Sequence, residues 1–114
     1  AEKYLTDDEY EAGTVVSIGG EEEVTQCKEG DRALGVISAQ PAYMMNAWLE
    51  GGQYIALKGR VPVKVIGAVA KGNKLVAAAD GYAKVAQALD PDVFAIALES
   101  NSNSGTKVIE AVVL

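Results

Sequence analysis

Arg60-Val61-Pro62-Val63-Lys64-Val65-Ile66 is the stretch on which the fold turns. In an extended chain Val61, Val63 and Val65 fall on one face and Arg60, Pro62, Lys64 and Ile66 on the other, the two-residue period of a half-buried β-strand. A branched residue at every second position and an internal proline both argue against a helix. Pro62 has no N–H to give a ladder, so this strand is an edge, or it hydrogen-bonds only through its other side.

Outward from there, seven more short segments carry β-branched or apolar residues between turn signals: Thr14–Ile18, Ala33–Ser38, Tyr54–Leu57, Lys74–Ala78, Ala83–Ala86, Val93–Glu99 and Lys107–Val113. Gly19-Gly20, Lys28-Glu29-Gly30-Asp31, Gly51-Gly52, Lys71-Gly72-Asn73, Asp80-Gly81 and Asp90-Pro91-Asp92 punctuate them. This spacing predicts an all-β fold, a small barrel or sandwich with little or no helix. Only Leu5–Tyr10 and Ala42–Ala47 could hold a helical turn, and both are short.

The chain also resembles itself. Glu11–Ser17 aligns with Ala70–Val76 at an offset of 59 residues, while Gly20–Thr25 with Gly81–Ala86 and Ala33–Ser38 with Phe94–Glu99 align at 61. Two pseudo-repeated units, about 11–40 and 70–99, are expected inside a single domain spanning 1–114. One unit alone would leave a sheet face wet, and two packed together close a core. The start at Ala1-Glu2-Lys3-Tyr4 suggests the C-terminal piece of a longer chain.

Composition narrows the chemistry. The 114 residues contain no histidine and one cysteine, which removes the commonest general base near neutral pH, the commonest metal ligand and any internal disulfide. Sixteen acidic residues against ten basic ones leave a net charge of -6, which repels a polyanion, so nucleic acid is not an expected partner. No apolar run approaches about 18 residues, so no membrane-spanning helix is expected. No glycine cluster opens a helix as a phosphate cradle would, and no cofactor is expected.

Ser38 is the one candidate nucleophile with a motif around it. Without histidine its base would be a lysine or a carboxylate, and Lys58 or Lys64 on the following strands could serve. The plainer reading is that Ser38 ends a strand and satisfies local backbone groups before the Pro41 turn. Asp7-Asp8-Glu9 and Glu21-Glu22-Glu23 lack the alternating ligand spacing of a calcium loop and read as solvated charge, so no metal site is assigned. Cys27 reads as a small buried hydrophobe, and Ser100–Ser104 as turn chemistry. Tyr43, Met44, Met45, Trp48 and Leu49 make an apolar connector, suited to a lid or a subunit interface, since aromatic residues and Met are enriched where subunits meet.

At Leu34-Gly35-Val36-Ile37-Ser38-Ala39-Gln40-Pro41 and Ala56-Leu57-Lys58-Gly59-Arg60-Val61-Pro62-Val63-Lys64-Val65, together with Ala1-Glu2-Lys3-Tyr4 and Gly13-Thr14-Val15-Val16, the sequence resembles a known family. It looks like the C-terminal domain of phage fibre and tailspike-type virion proteins, grouped with the G2 peptidase or intramolecular chaperone autoproteases. The likeness covers nearly the whole chain. It implies a bacteriophage virion structural domain at a fibre tip, associating as a homotrimer and with other virion proteins, and in some members cutting itself free. The family's Asp before the Ala-Glu pair has no counterpart here, because the chain starts at Ala1. The doubled Lys-x-Gly-x-x-Val unit also resembles small capsid-decoration and antifreeze-like β folds. On this reading Tyr43, Met44, Met45, Trp48, Leu49, Arg60, Pro62 and Lys64 form the oligomer interface. A self-cleaving domain using Ser38 is the alternative. A receptor or glycan-binding tip, with Tyr54 or Tyr82 as the stacking platform, is a third.

Overall fold

The computed structural model describes residues 2–38 and 52–114. Within them the chain is all-β: β1 Glu2–Leu5, β2 Val15–Ile18, β3 Val24–Gln26, β4 Gly35–Ile37, β5 Gly52–Ala56, β6 Gly59–Ile66, β7 Lys74–Ala77, β8 Ala83–Val85, β9 Ala95–Ala97 and β10 Thr106–Val113. One 3-10 turn, Ala79–Gly81, is the helical content of the described residues. The second half closes into a five-stranded barrel in the order β10-β6-β8-β7-β9. The first half is a five-stranded sheet ordered β1-β5-β4-β2-β3 whose outer strands meet at a single parallel bridge, Thr6 to Val24.

The two halves share one pairing scheme. Val16 pairs with Gln26 as Leu75 pairs with Val85, each partner 59 positions on. Val15 opposes Val36 as Lys74 opposes Ile96, and Ile37 opposes Ile55 as Ala97 opposes Ala111. Lys3 faces Tyr54 as Pro62 faces Glu110, so β1 and β6 also correspond. The bridge that joins the first sheet's ends matches the Val65–Ala83 pairing that closes the second barrel. Each unit therefore spans five strands, β1–β5 and β6–β10.

Strand β6 follows its alternation: Val61, Val63 and Val65 are buried, while Arg60, Pro62 and Ile66 are exposed. The Lys64 N–H donates to the Gly13 carbonyl at 2.9 Å, away from β10. Pro62, two residues earlier, has its nitrogen on that same side, where β6 meets β8 at only one residue pair. The missing donor is thus placed where the barrel needs none.

Two cores result. Val16, Val24, Ile37 and Ile55 fill the first unit, with Tyr4, Tyr10, Leu34 and Leu57 around them. The other core holds the second barrel's valines and alanines and also Val15, Cys27, Val36 and Ala56 from the first unit. Successive residues of β2 and β4 thus serve different cores: Val16 and Ile37 point inward, Val15 and Val36 across a seam between the units. Val15 and Val36 are completely buried, and burial on that scale contributes about 1.5–3 kcal/mol per side chain. Polar contacts lock the seam as well. The Gly81 N–H donates to Cys27 O at 3.0 Å, and the Cys27 thiol donates to Ala78 O at 3.2 Å.

The helical turn expected at Leu5–Tyr10 does not form. Leu5 ends β1, and the segment is held by long-range bonds: Leu5 N–H to Glu23 Oε1, Glu23 N–H to Leu5 O, and Asp7 N–H to Val24 O. Thr6, Asp7 and Asp8 are poor interior helix residues, so pairing across the chain prevails. The Ala42–Ala47 expectation lies outside the described residues.

Candidate interaction surface

Strands β6 and β10 form the longest antiparallel pair of the barrel, and register fixes which side chains share its outer face. Pro62 sits opposite Glu110, Lys64 opposite Val108, and Ile66 opposite Thr106. Val108 is 54% exposed and Ile66 43%, diagonal neighbours on the outside of a closed barrel. Arg60 Nε lies 2.9 Å from Glu110 Oε1 in an exposed pair worth about 1 kcal/mol or less. The face therefore combines Pro62, Ile66 and Val108 with a charge pair at one end. Of these, sequence reading singled out Arg60 and Pro62 for an interface, but not Val108. Its signal was available, since β10 alternates as β6 does and Val108 lies out of phase with the buried Ile109, Ala111 and Val113.

Lys64 is placed differently from its strand neighbours. Its ammonium reaches Glu11 Oε1 at 3.0 Å and lies 4.9 Å from the centre of the Tyr82 ring, with only 16% of the side chain exposed. Glu11 comes from the first unit and Tyr82 from the second, so Lys64 straps the two units together. Its cation–π contact contributes about 0.5–1 kcal/mol. The other expected interface residues, Tyr43, Met44, Met45, Trp48 and Leu49, lie outside the described residues.

Ser38 follows β4 directly and donates its N–H to Tyr54 O at 2.9 Å, which extends the β4–β5 ladder by one rung. Of the two lysines considered as its base, Lys64 has its ammonium engaged by Glu11 and Tyr82. The aromatic platforms a sugar would need are also partly occupied. Lys3 Nζ stands 5.7 Å from the Tyr54 ring centre, and Lys64 covers Tyr82. The Ser/Asn run works as turn chemistry: Ser100 Oγ accepts the Lys71 N–H, Asn101 Oδ1 the Asn103 N–H, and Asn103 Oδ1 the Gly105 N–H.

The titratable groups behave as structural ones. Burial pushes the Cys27 thiol up to about 12, so it remains protonated and unreactive at neutral pH. The Tyr10 hydroxyl donates to Asp7, which holds that carboxyl below its ordinary value. Burial and then the Asp7 carboxylate raise Tyr10. Glu23 Oε1 and Asp8 Oδ1 accept backbone N–H groups. Among the described residues no three His, Cys, Asp or Glu side chains converge as a metal ion would require. No helix among them is long and apolar enough to cross a membrane.

The architecture defines a class, an all-β molecule of two five-stranded units joined along an apolar seam. The same fold occurs in the C-terminal fragment of bacteriophage phi29 gene product 12, with a TM-score of 0.71, 98% of both chains covered and 14% sequence identity. No family model matches the sequence, and no curated protein matches it.

Proposed function

We propose that this chain is a structural domain of a bacteriophage particle that works by associating with copies of itself, as a fibre tip or a decoration element. The observation that carries this reading is the fold likeness to a phage protein fragment over 98% of both chains, in line with the sequence resemblance to phage fibre domains. The exposed Pro62, Ile66 and Val108 side chains supply an apolar contact face, since such residues grouped outside a closed barrel are candidates for burial against a neighbour. A cyclic trimer packed against other virion proteins is the arrangement proposed. Analytical ultracentrifugation of the chain tests it: a concentration-dependent oligomer is expected, and a monomer at every concentration overturns the reading.

A further inference from the structure

One glycine turn occurs in both units and is covered in only one of them. Gly13, with a φ of 94°, donates its N–H to Ile37 O, and Gly72, with a φ of 91°, donates to Ala97 O, the matching acceptor. The Gly13 turn lies against β6: its carbonyl accepts the Lys64 N–H, and a Cβ there would stand 3.1 Å from Lys64 Cγ. At Gly72 an added Cβ would meet nothing within 4 Å among the described residues. The turn that fastens the first unit to the second is thus open in the second.

The surface that would receive it is open in the first. Leu5 matches Lys64 in register, because the Thr6–Val24 bridge matches the Val65–Ala83 pairing. Its side chain is 42% exposed. Where the Lys64 N–H holds a carbonyl of the other unit, the Leu5 N–H is capped at 2.9 Å by Glu23 Oε1 in an exposed bond.

We infer that this chain repeats its internal seam between copies, the Gly72 turn of one copy seating on β1 of the next and its carbonyl taking the Leu5 N–H from Glu23. In a repeat architecture the last unit presents the face that its neighbour covers further in. Ile96 holds the place of Val36, and Val112 that of Ala56; both are half-buried, and Val112 shares the outer face of β10 with Val108. Charge adds direction to this fit. Lys71 and Lys74 flank Gly72, whereas Asp7-Asp8-Glu9 and Glu21-Glu22-Glu23 adjoin Leu5, the second run through the Glu23 bonds. Lys3 of β1 lies over the Tyr54 ring, and Glu99, in the loop beside Lys71, accepts the Glu110 N–H. The donating side is therefore basic and the receiving side acidic. The two sides belong to different units of one chain, so the contact is head-to-tail and closes into a ring when the rotation allows.

This inference rests on the self-association reading and names the surfaces that meet; charge reversal separates the two. The Lys71→Glu/Lys74→Glu and Glu21→Lys/Glu22→Lys chains are altered at exposed positions, and each is expected to melt within a few degrees of the parent. Each is also expected to self-associate about tenfold more weakly, or worse, in analytical ultracentrifugation. An equal mixture should associate again, because every contact then joins opposite charges. A variant that associates as tightly as the parent, or a mixture that does not recover, overturns the seat and leaves self-association standing. A parent chain that never associates overturns both. Mixing Lys71→Cys with Glu22→Cys protein locates the contact, because Cys27 is buried. A disulfide between the two variants under mild oxidation is expected, and association without that cross-link overturns the seat.

Discussion

The two units use one pairing scheme and treat their outer faces in opposite ways. In the first, Val15, Val36 and Ala56 turn outward and are buried against the second unit. The matching positions of the second are Lys74, which is exposed, and Ile96 and Val112, which are half-buried. A strand only a few residues long can thus be buried on one face or on both without a change of register. The hydropathy of alternate positions, more than the pairing, distinguishes the unit that is covered from the one that meets solvent.

Substituting the matched positions breaks this comparison most directly. Val36→Asp places an unpaired carboxylate in the seam and is expected to cost about 4 kcal/mol or more, while Ile96→Asp, at the register-equivalent position, costs about 1–2 kcal/mol. Urea denaturation measures both, and equal losses would mean that the outer faces are equivalent after all. A smaller effect belongs to the close approach at Gly81, which has a φ of 79° and where a Cβ would stand 2.6 Å from Thr14 Cγ2. Gly81→Ala is expected to lower stability by about 2 kcal/mol, through left-handed strain and a displaced seam hydrogen bond to Cys27. A thermal melt matching the parent would show that the seam gives way there.

The smallest effect sharpens the contrast on the acid side. Asp7 in the first unit is held below its ordinary carboxyl value by Tyr10, whereas the corresponding position of the second is the apolar Ile66. A depressed folded-state value means that the stabilisation is present at neutral pH and is lost as pH falls below about 4 through that value. Asp7→Asn should therefore reduce the difference in stability between pH 7 and pH 3 by about 0.5 kcal/mol, a modest amount because the pair is exposed. An unchanged difference in paired denaturation curves would remove the Tyr10 contact from the account.

Strand β6 was legible because three valines alternate with Arg60, Pro62, Lys64 and Ile66 over a long run, and most other strands because apolar segments lie between glycine turns. Strands β1 and β3 were not. Glu2-Lys3-Tyr4-Leu5 is never fully buried, and Val24-Thr25-Gln26 follows three glutamates and buries one residue, so partners distant in sequence decide both. The candidate interaction face was legible in part. Alternation places Arg60 and Pro62 outside, but it puts Lys64 with them, and the contacts that draw Lys64 into the seam come from Glu11 and Tyr82, on other parts of the chain.

The return of the last strand to the first has a further effect. A barrel closed on itself presents no open row of amide and carbonyl groups for a stranger's strand to extend, so molecules of this kind can be crowded together without zipping into fibrils. Each unit keeps that protection through one parallel pairing, Thr6–Val24 in the first and Val65–Ala83 in the second, which makes these two rungs the places where uncontrolled aggregation would begin.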